Sequence, residues 1–282
     1  MHEVFINGRL RKVEAGWNDL TRDRLLRLVP LLYEPNPNRV ALQLKLLRFL
    51  LGLTPAFFAH YVTPVQMTQL LWMADFLLGE TCGLTAQVLP WLRRSRTWRR
   101  PFPRTWWGPR ESLRNLTFAE FIFADAYFVA FATRREAGAL DKLVAVLYRP
   151  QRRRYRPKAA TYRGDRREDF NEHLVAGRAE QVARLTDAEK LAVLTWYRGC
   201  RDELVLHFPL VFTPDEDDEE NPRPASTTTW GQVLRELSGT SFGTLDETAR
   251  QPVRTILAKM EDDARRAKEL KRQHEEQARN QS

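Results

Sequence analysis

The hydrophobic and polar positions of this chain follow two different periods, and the shorter one comes first. In Val4-Phe5-Ile6-Asn7-Gly8-Arg9-Leu10-Arg11-Lys12-Val13 an Asn-Gly pair separates two short runs. That is the local signature of a two-residue turn with positive φ, so a small β-hairpin is predicted. From there on the three-and-four spacing of helices takes over. Thr21 offers its hydroxyl as an N-cap to a helix that carries Leu25, Leu26, Leu28 and Val29 and ends near Pro35. Between Val40 and Leu51 the residues Leu42, Leu44, Leu46, Leu47, Phe49 and Leu50 cover most of a helix and leave Gln43, Lys45 and Arg48 wet. Thr63-Pro64 restarts the pattern through Met67, Leu70, Leu71, Met73, Ala74 and Leu77, with the proline where a first helical residue tolerates it.

The segment Leu116 to Thr133 is the strongest core candidate. Thr117 and Glu120 have capping-box spacing, and Phe118, Phe121, Phe123, Tyr127, Phe128 and Phe131 project around the helix, which is therefore expected to be surrounded by others. Val144 to Tyr148 reads as a short strand pairing. Thr186 with Glu189 opens a helix that carries Leu191, Val193, Leu194, Trp196 and Tyr197 and stops before Pro209; Thr229 with Gln232 opens another through Val233, Leu234 and Leu237. After Pro252, Val253, Ile256, Leu257, Met260, Ala264 and Ala267 keep helical spacing, and then charged residues take over. Glu261 with Arg265, Asp262 with Arg266 and Glu275 with Arg279 are i,i+4 pairs of favourable polarity. The expectation is a mainly α protein: a helical body with a small N-terminal β-hairpin, and a long charged C-terminal helix that leaves the surface as an arm.

Charge divides this picture further. The 282 residues hold 45 Lys+Arg against 36 Asp+Glu, a formal charge of +9. Positions 93–114 contain eight Arg and one acid, Glu111, among Trp98, Phe102, Trp106, Trp107 and three prolines, and read as a loop. Positions 149–167 hold nine Lys or Arg against Asp165, with Tyr155 and Tyr162 between them. Opposing both is Asp215-Glu216-Asp217-Asp218-Glu219-Glu220, followed by Asn221-Pro222-Arg223-Pro224, which reads as a solvated linker. It divides the chain into a body (1–213), a linker (214–228) and a C-terminal helical unit (229–282). Two cysteines, Cys82 and Cys200, make neither a disulfide framework nor a four-cysteine zinc site and fit a reducing compartment. Met1-His2-Glu3 does not begin a signal peptide, and no run reaches the length of a membrane span, so a soluble cytoplasmic protein is expected.

Catalytic signatures do not emerge. The chain has no Gly-rich phosphate loop, dinucleotide fingerprint or His-Glu-x-x-His, and its five histidines have no ligand spacing, so no catalytic, cofactor or metal residues are assigned. Glu120 and Asp125 stand about 140° apart on a helix, which suits a cap and an Arg partner better than an acid–base pair. Glu269-Leu270-Lys271 has the end of a nuclease-like motif but sits on an exposed helix without converging carboxylates. Cys200 has Arg neighbours but no base and reads as a buried structural thiol. The chemistry lies instead in the basic blocks: Arg93, Arg94, Arg96, Trp98, Arg99, Arg100, Trp106 and Trp107 in the first, and Arg152, Arg153, Arg154, Tyr155 and Arg156 in the second. Such a set can neutralise phosphates while Trp or Tyr stacks on unpaired bases. It can equally dock an acidic protein, or pack its arginines over its own rings.

Both ends of the chain look familiar. Phe5-Ile6-Asn7-Gly8 followed by Trp17-Asn18-Asp19-Leu20-Thr21, then Trp196-Tyr197-Arg198-Gly199-Cys200-Arg201 with Phe208-Pro209 and Phe212, and finally Trp230, Leu234, Leu237 and Phe242-Gly243-Thr244, resemble proteins encoded in tail gene clusters of phages and prophages of Bacteroidota-type hosts. The resemblance covers about the first 35 and last 95 residues. It implies a tail-assembly accessory, similar to tail assembly chaperones, that binds other phage structural or tail proteins in the bacterial cytoplasm or on the virion, without catalysis or cofactor. The central Arg- and Trp-rich part lies outside the resemblance.

Overall fold

Asn7 and Gly8 both take positive φ (49° and 70°) and turn β1 (His2–Ile6) into β2 (Arg9–Val13), paired antiparallel from His2↔Val13 to Ile6↔Arg9. Ile6 and Val13 point into the core, while Phe5 and Leu10 form an exposed cross-strand pair. The structure is a computed structural model that describes residues 1–35, 38–93, 105–160, 162, 164–212, 230–239 and 241–280.

A 3-10 turn at Trp17–Asp19 leads into α1 (Arg22–Tyr33), whose first turn is capped by Thr21 accepting from the Arg24 N–H. Asn38 caps α2 (Arg39–Leu50) by accepting from the Val40 and Ala41 N–H groups. Next come α3 (Pro55–Tyr61), absent from the sequence reading although Thr54-Pro55 is a cap followed by an N1 proline, and α4 (Pro64–Leu70), closed by a Thr63/Gln66 capping box. The helix expected to continue to Leu77 breaks instead into a 3-10 turn (Leu71–Ala74) and α5 (Asp75–Leu78). Gln43 of α2 donates to the Leu71 carbonyl, and the tighter turn carries Met73 and Ala74 into the core.

At its described ends, Arg93 and 105–107, the first basic block is strand and not the loop expected for it. β3 (Trp91–Arg93) pairs antiparallel with β4 (Thr105–Trp107), Leu92 opposite Trp106. α6 (Phe118–Arg134) follows, capped by Thr117, and then α7 (Ala139–Leu147) occupies the stretch expected to pair as a strand. A short apolar run is ambiguous by periodicity alone, and here the surroundings decide. Leu143, Val144, Ala145, Val146, Leu147 and Tyr148 are each 0% exposed, because α6, α8 (Val175–Val182) and α9 (Asp187–His207) pack around them. The stretch surrounded on every side is thus the second half of α7 and not α6. Phe118 and Phe121 of α6 are buried, but Phe123, Tyr127, Phe128 and Phe131 are only partly so.

The Thr186/Glu189 capping box opens α9, which ends before α10 (Pro209–Phe212). The proposed linker 214–228, including the acidic block, and the cap Thr229 lie outside the described residues. On its far side α11 (Trp230–Leu237) puts Trp230 edge-on against Phe118, Phe121 and Phe212, so residues on both flanks share one core. A Thr244/Glu247 capping box opens α12 (Leu245–Ala249), which the sequence reading missed. α13 (Val253–Asn280) begins with Val253, Ile256 and Leu257 buried, tied by Val253 N–H to the Leu116 carbonyl (2.9 Å) and Phe118 N–H to that of Gln251 (2.8 Å). From Arg265 to Asn280 every residue is exposed.

Candidate functional site

The site is built upward from a buried charge cluster. Glu120 sits one turn into α6, 1% exposed, and its carboxylate does not complete the capping box expected of it. It accepts instead from Arg149 (2.8 Å) and Arg167 (2.9 Å), both fully inside the protein. Arg167 also forks onto Asp165 (2.7 Å), so two cations meet two anions. The remaining donors end on carbonyls: Arg149 on Glu168 (2.8 Å) and Val146 (3.1 Å), Arg167 on Leu147 (2.9 Å) and Asn115 (3.3 Å). Burial pushes the Asp165 carboxyl up, but attraction to Arg167 and its hydrogen bonds outweigh this and hold it below the ordinary aspartate range. Asp125, one and a half turns further along α6, has the Arg partner expected of it, Arg201 (2.6 Å), and accepts from the Trp230 indole (3.0 Å) as well.

This cluster anchors the base of a basic loop. Arg149 exchanges two backbone hydrogen bonds with Trp107 of β4 (2.8 and 3.1 Å), and Arg152 N–H and Glu168 N–H close the neck onto the Arg166 and Pro150 carbonyls. Trp107 and Arg110 of the first basic block thereby meet the second. Above the neck Arg153, Arg154, Arg156 and Lys158 are exposed and form no ion pair among the described residues. Arg152 is tied to Asp169 (2.6 Å) and donates to the Arg167 carbonyl (2.8 Å). Arg110 lies beside the loop, 3.4 Å from where a Cβ on Gly164 would stand.

The described aromatic residues follow the alternative in which arginines pack over the chain's own rings. Trp106 is 2% exposed, because strand alternation turns it inward opposite Leu92, and it has no face for a ligand. Arg166 covers the Trp107 ring at 3.7 Å and stands 4.9 Å from Tyr155, which meets Tyr162 edge-on. Arg22 (4.5 Å) and the exposed Arg93 (5.2 Å) both lie over Trp91. Arg94, Arg96, Trp98, Arg99 and Arg100 lie outside the described residues. Arg110 and Lys158 were not singled out from sequence, although they belong to the same charge blocks. Arg149 and Arg167 were legible only as charge; the missed signal was a Glu on an aromatic helix, which must be paired if it is buried.

Several of the residues that carried the family resemblance, Asn18, Trp196, Gly199 and Cys200, converge elsewhere, on the backbone of residues 82–86. Asn18 accepts from the Thr85 and Ala86 N–H groups (2.9 Å each), Trp196 donates to the Thr85 carbonyl (3.3 Å), and Gly199 lies flat against Leu84. Asp202 accepts from the Cys82 N–H (2.7 Å). Both cysteines are buried, and burial pushes the Cys82 thiol up to about 11 and that of Cys200 higher still. These motif residues are packing groups. Among the described residues no cluster of His, Cys, Asp and Glu could hold a metal, and no single helix is long and apolar enough to cross a membrane. Compared with known protein families, curated proteins and solved structures, the chain finds no match.

Proposed function

We propose that this chain is a non-catalytic accessory protein of phage-type tail assembly, one that binds a neighbouring structural or tail protein through the exposed end of α13. The observation that carries the reading is the exposure of Arg265 to Asn280 on a helix whose start is locked in the core. At 1.5 Å per residue those residues carry the tip about 24 Å outward. A helix of this kind is marginal alone, and local pairs such as Arg272 with Glu269 (2.9 Å) support it. Its mixed charges and the exposed Leu270 are features a partner can recognise. The resemblance of both chain ends to tail-cluster proteins supports the setting, the bacterial host cytoplasm or the virion, with no cofactor.

Deleting residues 271–282 should leave the melting temperature within about 2 °C of the full chain, since exposed terminal residues have few contacts to lose. The same deletion should abolish co-purification with the adjacent tail protein on coexpression. A large fall in melting temperature, or unchanged co-purification, would remove the arm from this role.

A further inference from the structure

We infer that the face formed by residues 152–160 with the adjoining Arg110 binds double-stranded nucleic acid through its phosphates, without stacking on bases. The inference does not rest on the role given to α13.

Three observations carry it. The charge is uncompensated where it is exposed: Arg153, Arg154, Arg156 and Lys158 lie within six residues and pair with no acid among the described residues, while the nearby acids are already engaged, Asp165 by Arg167 and Asp169 by Arg152. Arg110, exposed beside Gly164, extends the same sign at the loop. Six residues of chain span at most about 20 Å, and a duplex offers one phosphate charge per about 1.7 Å, so these cations can meet several phosphates at once.

The second observation is what the loop lacks. Residues 151–154 and 156–158 are Gln, Arg, Lys and Pro, all exposed, with no apolar centre such as a protein interface needs. Interfaces with nucleic acid are more polar and far more positive, which is the composition found here.

The third is the use made of the rings. Single-strand binding relies on open aromatic faces. Among the described residues Trp106 is buried, Trp107 is covered by Arg166 at 3.7 Å, Trp91 carries two arginines, and Tyr155 is engaged by Tyr162 and Arg166. The rings hold guanidiniums in place, and the denser phosphate array of a duplex is then the better ligand.

The test is fluorescence anisotropy with a mixed-sequence duplex of about 25 base pairs, its single strand and polyglutamate, each titrated with the full chain between 50 and 200 mM salt. The duplex should bind roughly tenfold tighter than the single strand, with log K falling linearly against log salt. The variant Arg153→Gln/Arg154→Gln/Arg156→Gln, shown to be folded by its melting curve, should weaken binding and flatten that slope by about 2 to 3. The 271–282 deletion should keep the duplex affinity within about threefold, which separates this surface from the arm. Single strand bound as tightly as duplex would overturn the inference in favour of stacking, and preference for polyglutamate would overturn it in favour of an acidic protein. No binding at 50 mM salt, an unchanged slope in the triple variant, or loss of binding with the arm would equally sink it.

Discussion

Gly199→Ala is expected to lower the unfolding free energy by about 3 kcal/mol or more, read as a fall in the urea midpoint at unchanged slope. An added Cβ would stand 2.8 Å from the Leu84 C and N atoms and closer still to its carbonyl oxygen, and these are backbone atoms that cannot rotate away. Nor can the strand of chain to which they belong retreat. Asn18 holds Thr85 and Ala86, Trp196 holds the Thr85 carbonyl, and Asp202 holds Cys82. Gly177→Ala is the matching control. It is exposed on α8 with nothing within 4 Å of the new methyl, so the same change should stabilise by about 0.5–1 kcal/mol. Opposite signs at the two glycines would establish the contact of α9 with Leu84; a neutral Gly199→Ala would refute it.

The second large effect is expected at Glu120. Its removal as Glu120→Ala leaves Arg149 and Arg167 buried side by side with Asp165 as their one carboxylate, a loss of about 3–5 kcal/mol for an uncompensated buried charge. The exposed pair Glu111–Arg114 (2.9 Å) gives the contrast, since Glu111→Gln should change stability by less than about 0.5 kcal/mol. The same cluster predicts acid sensitivity. Asp165 has its carboxyl depressed in the folded state, so its contribution is present above the unfolded value of about 3.9 and disappears as pH falls through the folded one. Denaturation midpoints measured from pH 6 downward should therefore drop below about pH 4, and Asp165→Asn should flatten that drop. A wild-type profile with no acid limb, or an identical one in Asp165→Asn, would contradict the pairing. Because Arg149 and Arg167 close the neck of the basic loop, loosening the cluster should also loosen the binding face.

What the sequence determined by itself was whatever is settled within four or five residues. Asn7-Gly8 fixed the hairpin turn and its register, Thr21, Thr63 and Thr186 fixed helix starts, and Pro209 ended α9, while α13 leaves the core at Arg265, just before the apolar positions end at Ala267. These signals are local hydrogen bonds and local backbone restrictions, so the neighbours that decide them are adjacent in the chain. The tertiary structure decided the rest. Val144 to Leu147 is helical because α6, α8 and α9 bury it on every side, which no short apolar run announces. Glu120 turned from cap to charge anchor because its partners stand 29 and 47 residues away, and the aromatic rings of the basic face became seats for arginine for the same reason. A partner that distant in sequence is chosen by packing, where the cost of an unpaired buried charge selects one arrangement among several that the local pattern allows.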